Sequence, residues 1–322
     1  MKISGTYKSS RSIILVIGSV LIMLMIGIAC SNRTGNKITE TPTSGNIRII
    51  ADASFKPIVD AEISTFTGLY MYAHVTPTYV PEMDLISAFL DDSVKIVVTA
   101  WEPSAQQKEL LLNTQIVVRT TNVAFDAIAL VLNKENRDSL LTYDNVNDLF
   151  TGKLTDWKTI NPASECGKIM TVFDNEKSAN IRYFKEEFKL EGQLPSSFYA
   201  VKSNEEVIDY VNKNKGAIGL VSVNWICDKE DSTMRSFANK IKIAAISQHF
   251  LEKGSYFLPV QGSIYSKTYP FTRKINIVSR ETFDGLGSGF IHWFSSEQGQ
   301  RIVLKSGLVP ATMPIRLIQF KK

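Results

Sequence analysis

Residues 168–180, KIMTVFDNEKSAN, carry the pattern that decides the fold. KIMTVF (168–173) is too continuously apolar to be a half-exposed strand, and a polar junction follows it. From about Asn180 a helix begins, with Ile181, Phe184 and Phe188 on one side. The same strand signal recurs outward along the chain in IRIIA (47–51), KIVVTA (95–100), AIALVL (127–132), AIGLVS (217–222) and IKIAAI (241–246). Helical stretches lie between these runs. Ser203-Asn204-Glu205-Glu206 reads as a capping box, opening a helix with Val207 and Val211 on one face that ends near Gly216. Another helix, around Asp144 to Phe150, stops at Gly152. The alternation predicts an α/β architecture with largely parallel sheets flanked by helices, without an internal repeat.

The chain of 322 residues opens with Lys2, Lys8 and Arg11, followed by an uncharged run from Ser12 to Ser31 with an apolar core from Ile13 to Ala29. That is the layout of a secretory signal. It ends in Gly27-Ile28-Ala29-Cys30, which resembles the lipobox of lipoprotein precursors, although Gly27 stands where a larger aliphatic residue is usual. The expectation is cleavage after residue 29 and a lipid on Cys30, anchoring the chain to a membrane. An uncleaved anchor helix would leave the same orientation, with everything downstream outside the cytoplasm, in the periplasm or at the cell surface. Residues 31–45, SNRTGNKITETPTSG, are too polar to bury a core and read as a flexible tether.

The leader takes three of the 36 basic residues, so the mature chain carries 33 against 32 acidic ones. A basic surface for nucleic acid is therefore not expected. Beyond Cys30 there are Cys166 and Cys227, in a compartment that permits disulfides. They could pair or remain two buried thiols, and spacing alone does not decide.

In open α/β sheets, ligands collect where strands end and helices begin, because the first helical N–H groups lack partners and attract anions. Two junctions have that form: Asp52-Ala53-Ser54-Phe55-Lys56-Pro57 and Asp174-Asn175-Glu176-Lys177-Ser178-Ala179-Asn180. Taken singly, Ser54 and Ser178 are ordinary N-caps; their joint occurrence points to an oxyanion. At a third junction, Thr99-Ala100-Trp101-Glu102-Pro103, Thr99 could add a hydroxyl and Trp101 is either a cleft wall or core. Gly285-Leu286-Gly287-Ser288-Gly289 lacks dinucleotide spacing and reads as a turn, with anion binding a weaker alternative. His74, His249 and His292 fall in no metal spacing, and no catalytic motif occurs. Neither a cofactor, a metal nor an enzymatic activity is expected.

Near the C-terminus, Tyr269-Pro270-Phe271-Thr272-Arg273 and FIHWFSSEQGQRIVLKSGLVP (290–310) resemble the Y-P-L-x-R and F-x-x-F-x-x-S-x-E-G-Q-x-I-V-x-x-x-G-x-V-P segments of phosphate-binding lipoproteins that feed ABC importers. Asp126 to Asn133 resembles that family's D-G-I-A-x-x-V-N crossover, and Leu149 to Lys153 with Trp157 its I-F-x-G-K-x-x-x-W. The likeness runs from about Ile47 to Pro310. It implies a two-lobed type II periplasmic binding fold with two interlobe crossings, near residues 130 and 242. The implied division is a signal peptide (1–29), a lipidated tether (30–45), lobe 1 (46–130 plus 243–322) and lobe 2 (131–242).

The family's S-G-T-R-x-x-F motif falls on Ser178 to Phe184, so Ser178, Ala179 and Asn180 take the role of helix-end phosphate contacts. Ser54-Phe55 matches its first-loop pair, Thr99 lies near its third contact loop, and Tyr79-Val80-Pro81-Glu82 replaces a Gly/Ser-rich one. Two departures stand out: Asp174 replaces an arginine four residues before the serine, and Ala100 occupies a position often charged. Lys56, Lys177 or Arg182 could supply charge instead. Asp52, Asp126 and Asp174 are candidate proton acceptors that would favour a protonated phosphate over sulfate. The resemblance implies a monomeric solute-binding protein for phosphate or a similar tetrahedral oxyanion, working with an ABC permease complex. The alternative is a surface lipoprotein on the same scaffold that has lost anion binding and binds or senses a macromolecule.

Overall fold

The computed structural model describes residues 40–113, 115–228, 230–248 and 254–314. The leader, Cys30, most of the tether and His249 lie outside the described residues. Among those described, no helix is long and apolar enough to cross a membrane.

The architecture is a mixed α/β fold of two lobes. The first sheet pairs β1 (Gly45–Asp52) in parallel with β2 (Ala73–Val80) and β3 (Ile96–Thr99). The long strand β4 (Arg119–Asn133) passes through both lobes. Its first half joins the first sheet through the antiparallel strand β12 (Thr272–Ser279), and β13 (Val309–Pro310) pairs with Phe125 and Ala124. Its second half, from Ile128, pairs with β8 (Ala217–Ser222) and β9 (Ile241–Ile243). The second sheet continues in parallel through β6 (Met170–Phe173) to β7 (Phe198–Ala200). A small sheet joins β5 (Leu140–Leu141), β10 (Ala245–Ser247) and β11 (Tyr256–Phe257).

Local chemistry explains most element ends. The helix Tyr143–Phe150 begins at a reciprocal capping box between Thr142 and Asn145 and stops before Gly152, whose φ is +75°. In the helix Asn204–Lys213, Ser203 Oγ accepts from Glu206 N, but the Glu206 carboxylate accepts from Lys202 N, so only half of the expected box forms there. The run IKIAAI divides into two strands at Ala244, whose N–H donates to Leu130 O. The expectation of a turn at Gly285–Gly289 is corrected: Leu286–Ser295 is a helix starting inside that run. It packs so closely on the preceding chain that a Cβ at Gly289 would sit 1.9 Å from Pro42 O. The tether is also shorter than its composition suggested, since Thr41 and Ser44 close a turn and Gly45 already opens β1.

Two aromatic groups fasten helices to sheets. Phe66 meets Tyr70 and Phe290 edge-on, and Trp293 lies edge-on to Tyr70 and tilted against Phe66. Phe150, Phe184, Phe188 and Phe198 fill the second lobe, where Phe271 joins them with its ring centroid 4.9 Å from that of Phe184. Phe271 immediately precedes β12, and Tyr269 beside it donates its hydroxyl to Ile128 O at 2.8 Å. The Tyr269-Pro270-Phe271 segment therefore stitches the lobes together where β4 crosses. Trp101 is core, packed edge-on against Phe89. Cys166 carries a free thiol, so no Cys166–Cys227 bridge forms. His74 and His292 are exposed.

Candidate functional site

The first junction is built by Asp52 at the end of β1. Its Oδ1 accepts the Ser54 N–H at 2.7 Å, which turns the chain into a short 3-10 turn, Ala53–Phe55, ahead of the helix Lys56–Leu69. The second lobe holds this turn from the other side. Asn224 Nδ2 and Trp225 Nε1, just after β8, both donate to Ser54 O at 2.7 and 2.9 Å, and Asn224 Oδ1 accepts from Ile58 N. The Ser54 backbone is thus fixed while its hydroxyl, fully buried, has no hydrogen-bond partner among the described residues.

The second junction follows β6. Asp174 is buried at the strand end, and the helix Ala179–Glu187 starts after Ser178. Ser178 does not use its side chain as a cap. Its Oγ, both amide atoms of Asn180 and Asp174 Oδ1 are buried without hydrogen-bond partners. The N–H groups of Ala179 and Asn180 belong to the first turn, where no helical carbonyl is available.

The wall between the junctions is an ion pair. Arg273 on β12 places Nε and Nη2 each 2.9 Å from Asp126 Oδ2 on β4, and Ser222 Oγ donates to Asp126 Oδ1 at 2.8 Å. The Arg273 guanidinium lies over the Phe55 ring at 4.7 Å, and its Nη1 has no hydrogen-bond partner. A second pair crosses the lobes: Arg182 contacts Glu82, which is fully buried and also accepts from Thr99 Oγ1 at 2.7 Å and Ala100 N at 3.1 Å. Met83 N donates to Lys177 O, and Lys177 Nζ reaches Asp84 at 2.8 Å, so three successive residues of the first lobe are held by the second.

Burial governs the charges here. It pushes the Asp52 carboxyl up to about 7, reinforced by Glu82 and Asp174 and opposed by the nearby Ser54 side chain and by Arg273. Burial also raises Asp126, against Arg273 and Ser222, and raises Asp174, against the nearby Ser178. A buried polar atom left unpaired costs about 1–3 kcal/mol, so such atoms are scattered in most proteins rather than gathered at facing strand ends. Here Ser54, Ser178, Asn180 and Arg273 offer unused donors, while Asp52 Oδ2 and Asp174 Oδ1 offer unused acceptors. The set suits a small, compact, oxygen-rich ligand bearing both negative charge and protons.

Of the residues singled out in the sequence, Asp52, Ser54, Phe55, Asp126, Asp174, Ser178, Ala179 and Asn180 lie buried at this convergence. Thr99 is there too, but its hydroxyl is spent on Glu82. Lys56 is elsewhere, paired with Asp60 and lying over the Tyr79 ring at the surface. Arg182 supplies charge to Glu82 and Glu186. Arg273 and Glu82 were not assigned to the site from sequence, although both stand in quoted segments. The available signal was Arg273 in the strand TRKINIVS (272–279), two residues before Ile275 and so on the same face as that apolar residue, a position that is costly unless paired.

The PBP superfamily domain model matches residues 36–298. The chain belongs to the PBP superfamily. The phosphate-binding protein PstS of Bacillus subtilis is 22% identical over 297 residues, covering 90% of this chain and 91% of that protein. The Staphylococcus epidermidis PstS is 25% identical, but the match covers only 50% of either chain. Against those staphylococcal relatives this chain spans about half their length. Among solved structures, a Clostridium perfringens substrate-binding protein with bound phosphate superposes with a TM-score of 0.68 at 21% identity, over 83% of this chain and all of that one. An ABC-type phosphate transport receptor from Vibrio cholerae gives 0.62 at 21% identity, with the same coverage. The two-lobed fold is that of these proteins, and the chain is similar in sequence to Pst-type phosphate-binding proteins, in line with the resemblance of its motifs.

Proposed function

We propose that the protein is a lipid-anchored, extracytoplasmic solute-binding protein that takes phosphate or a similar tetrahedral oxyanion between its lobes and delivers it to an ABC importer. The observation that carries this reading is the convergence of unpaired, buried donors from both lobes: Ser54 and Arg273 from one side, Ser178 and Asn180 from the other. In the proposed complex the two serine hydroxyls, the Asn180 amide, Arg273 Nη1 and the first-turn N–H groups of Ala179 and Asn180 each donate to a ligand oxygen. Water is excluded, so these bonds act at low dielectric. No covalent step is required, only opening and closing of the lobes about the strand and segment that join them.

The strand pairing favours a second crossing between Phe257 and Thr272, later than residue 242, because Ala245–Ser247 pairs with Leu140–Leu141 and the chain rejoins the first sheet at Thr272. The protein acts as a monomer, held to the membrane through Cys30. Calorimetric titration of the soluble domain against phosphate, sulfate, molybdate and a nucleotide tests the reading. Heat with phosphate is expected, and absence of heat with all four overturns it.

A further inference from the structure

Strands β1, β2, β3 and β4 run the same way: β2 and β3 pair in parallel with β1, and β12 lies antiparallel to both β3 and β4. β1 and β3 end at the cleft, with Asp52 and Thr99. The starts of all four strands therefore share the opposite edge of the first sheet, together with the end of β12.

That edge is unusually apolar for a solvated end. Leu69, Met71 and Tyr72, leading into β2, are 59, 76 and 75% exposed. Val117, just before β4, and Phe283, after β12, are 56 and 43% exposed. Large apolar side chains exposed singly are ordinary, but five from three loops of one edge mark a contact surface. Charge there is mixed, with Lys95 and Arg119 accompanied by Asp91, Asp284 and the Asp92–Arg280 pair. Attraction between unlike charges thus contributes little, and burial of apolar area has to supply the contact.

The chain that leads back to Cys30 leaves from the same edge. Gly45 opens β1 opposite Ala73, and its N–H donates to Tyr72 O at 2.9 Å. From Glu40 to Cys30 there are ten peptide steps. However they are arranged, such a segment spans at most about 36 Å. A lipid on Cys30 would keep the edge close to a bilayer, so that even weak insertion is populated.

Resting on the reading of Cys30 as the lipid-bearing residue, we propose that this edge lies on the bilayer, with Leu69, Met71, Tyr72, Val117 and Phe283 in the lipid interface. Tyr72 suits that depth, its ring apolar and its hydroxyl left among the headgroups. β1 separates the edge from the cleft by the length of Gly45–Asp52, about 25 Å along the strand. Ligand is then captured with the cleft held clear of the membrane, and the molecule must tip to present the cleft to an importer in the same bilayer.

The test places a reporter tryptophan in the full-length lipidated protein, reconstituted into phosphatidylcholine vesicles whose acyl chains carry bromine, a contact quencher. Tyr72→Trp puts the reporter on the edge, and Tyr199→Trp puts it on an exposed position of β7 in the second lobe. Wild-type emission is subtracted from each. Loss of the added emission for Tyr72→Trp, with Tyr199→Trp unaffected, is the expected result. Quenching at both positions, or at Tyr199→Trp alone, overturns the inference. So does equal Tyr72→Trp emission in brominated and plain vesicles with which the protein floats, and this leaves the anchor standing. If that tryptophan is also shielded from aqueous iodide, a protein covers the edge instead of lipid. Failure of the protein to float with the vesicles removes the anchor and the inference together. Met71→Trp gives the same readout if Tyr72→Trp does not fold.

Discussion

Replacing Asn180 by Ala separates a ligand contact from a structural residue. Asn180 is fully buried at the second position of the helix Ala179–Glu187, and neither atom of its amide is hydrogen-bonded. Truncation therefore removes no hydrogen bond from the ligand-free fold. It relieves an unpaired amide that costs about 1–3 kcal/mol, and the small void left behind offsets roughly 1 kcal/mol or more of that relief. Ligand-free stability should stay within about 1 kcal/mol of wild type. In the complex the same amide donates to a charged oxygen, a bond of about 1.5–3 kcal/mol, so the phosphate Kd should rise from tenfold to more than a hundredfold. The assay pairs urea unfolding without phosphate with calorimetry of phosphate binding. Asn224→Ala is the control, because its amide holds Ser54 O and Ile58 N and its loss should destabilise the fold itself. An Asn180→Ala protein that loses more than about 2 kcal/mol of stability yet binds phosphate with unchanged Kd refutes the reasoning.

Arg273→Met leaves Asp126 buried without its cation and should cost about 3–5 kcal/mol in urea unfolding, more than any other substitution in the cleft. Arg182→Gln cuts the interlobe contact to Glu82, which keeps its hydrogen bonds from Thr99 Oγ1 and Ala100 N. The expected outcome is a several-fold weaker phosphate Kd and a larger radius by small-angle scattering in the presence of ligand; an unchanged radius and Kd would contradict it. Glu62, buried beneath the first sheet, is pushed up to about 9 by burial, against a hydrogen bond from Trp293 Nε1. Its folded form binds a proton that the unfolded form releases near its ordinary value of 4.5, so its contribution is full below that pH and is lost as pH rises towards 9. Thermal melts from pH 5 to 8 should show wild type losing stability and Glu62→Gln losing less. Metabolic labelling with palmitate should mark the wild-type protein and not Cys30→Ser.

The strands and the two anion-ready junctions were legible because their signals are local. An apolar run, a polar junction and a helical period fall within about a dozen residues, and Ser54, Ser178 and Asn180 sit at the boundaries that pattern exposes. Arg273 was not legible as a site residue, because its partner Asp126 is on another strand and only antiparallel pairing of β12 with β4 brings them together. Thr99 shows the opposite error: its position was read correctly, but whether its hydroxyl is available depends on Glu82, delivered by a separate helix. Lys56 was drawn to the cleft by sequence proximity to Ser54, yet the first helical turn carries it outward to Asp60. The glycine run at 285–289 read as a turn by composition, whereas close packing of Gly289 on Pro42 and of Gly287 on Glu281 and Ile96 is what calls for small residues there.

The central claim is that one oxyanion is held between Ser54 and Arg273 on one side and Ser178 and Asn180 on the other. A crystal structure of the soluble domain grown with phosphate tests it directly. The account predicts a single tetrahedral density within hydrogen-bond distance of those four side chains, with Asp52 and Asp174 each touching a ligand oxygen. Phosphate bound elsewhere, or a cleft in which these side chains pair with one another instead, would contradict it.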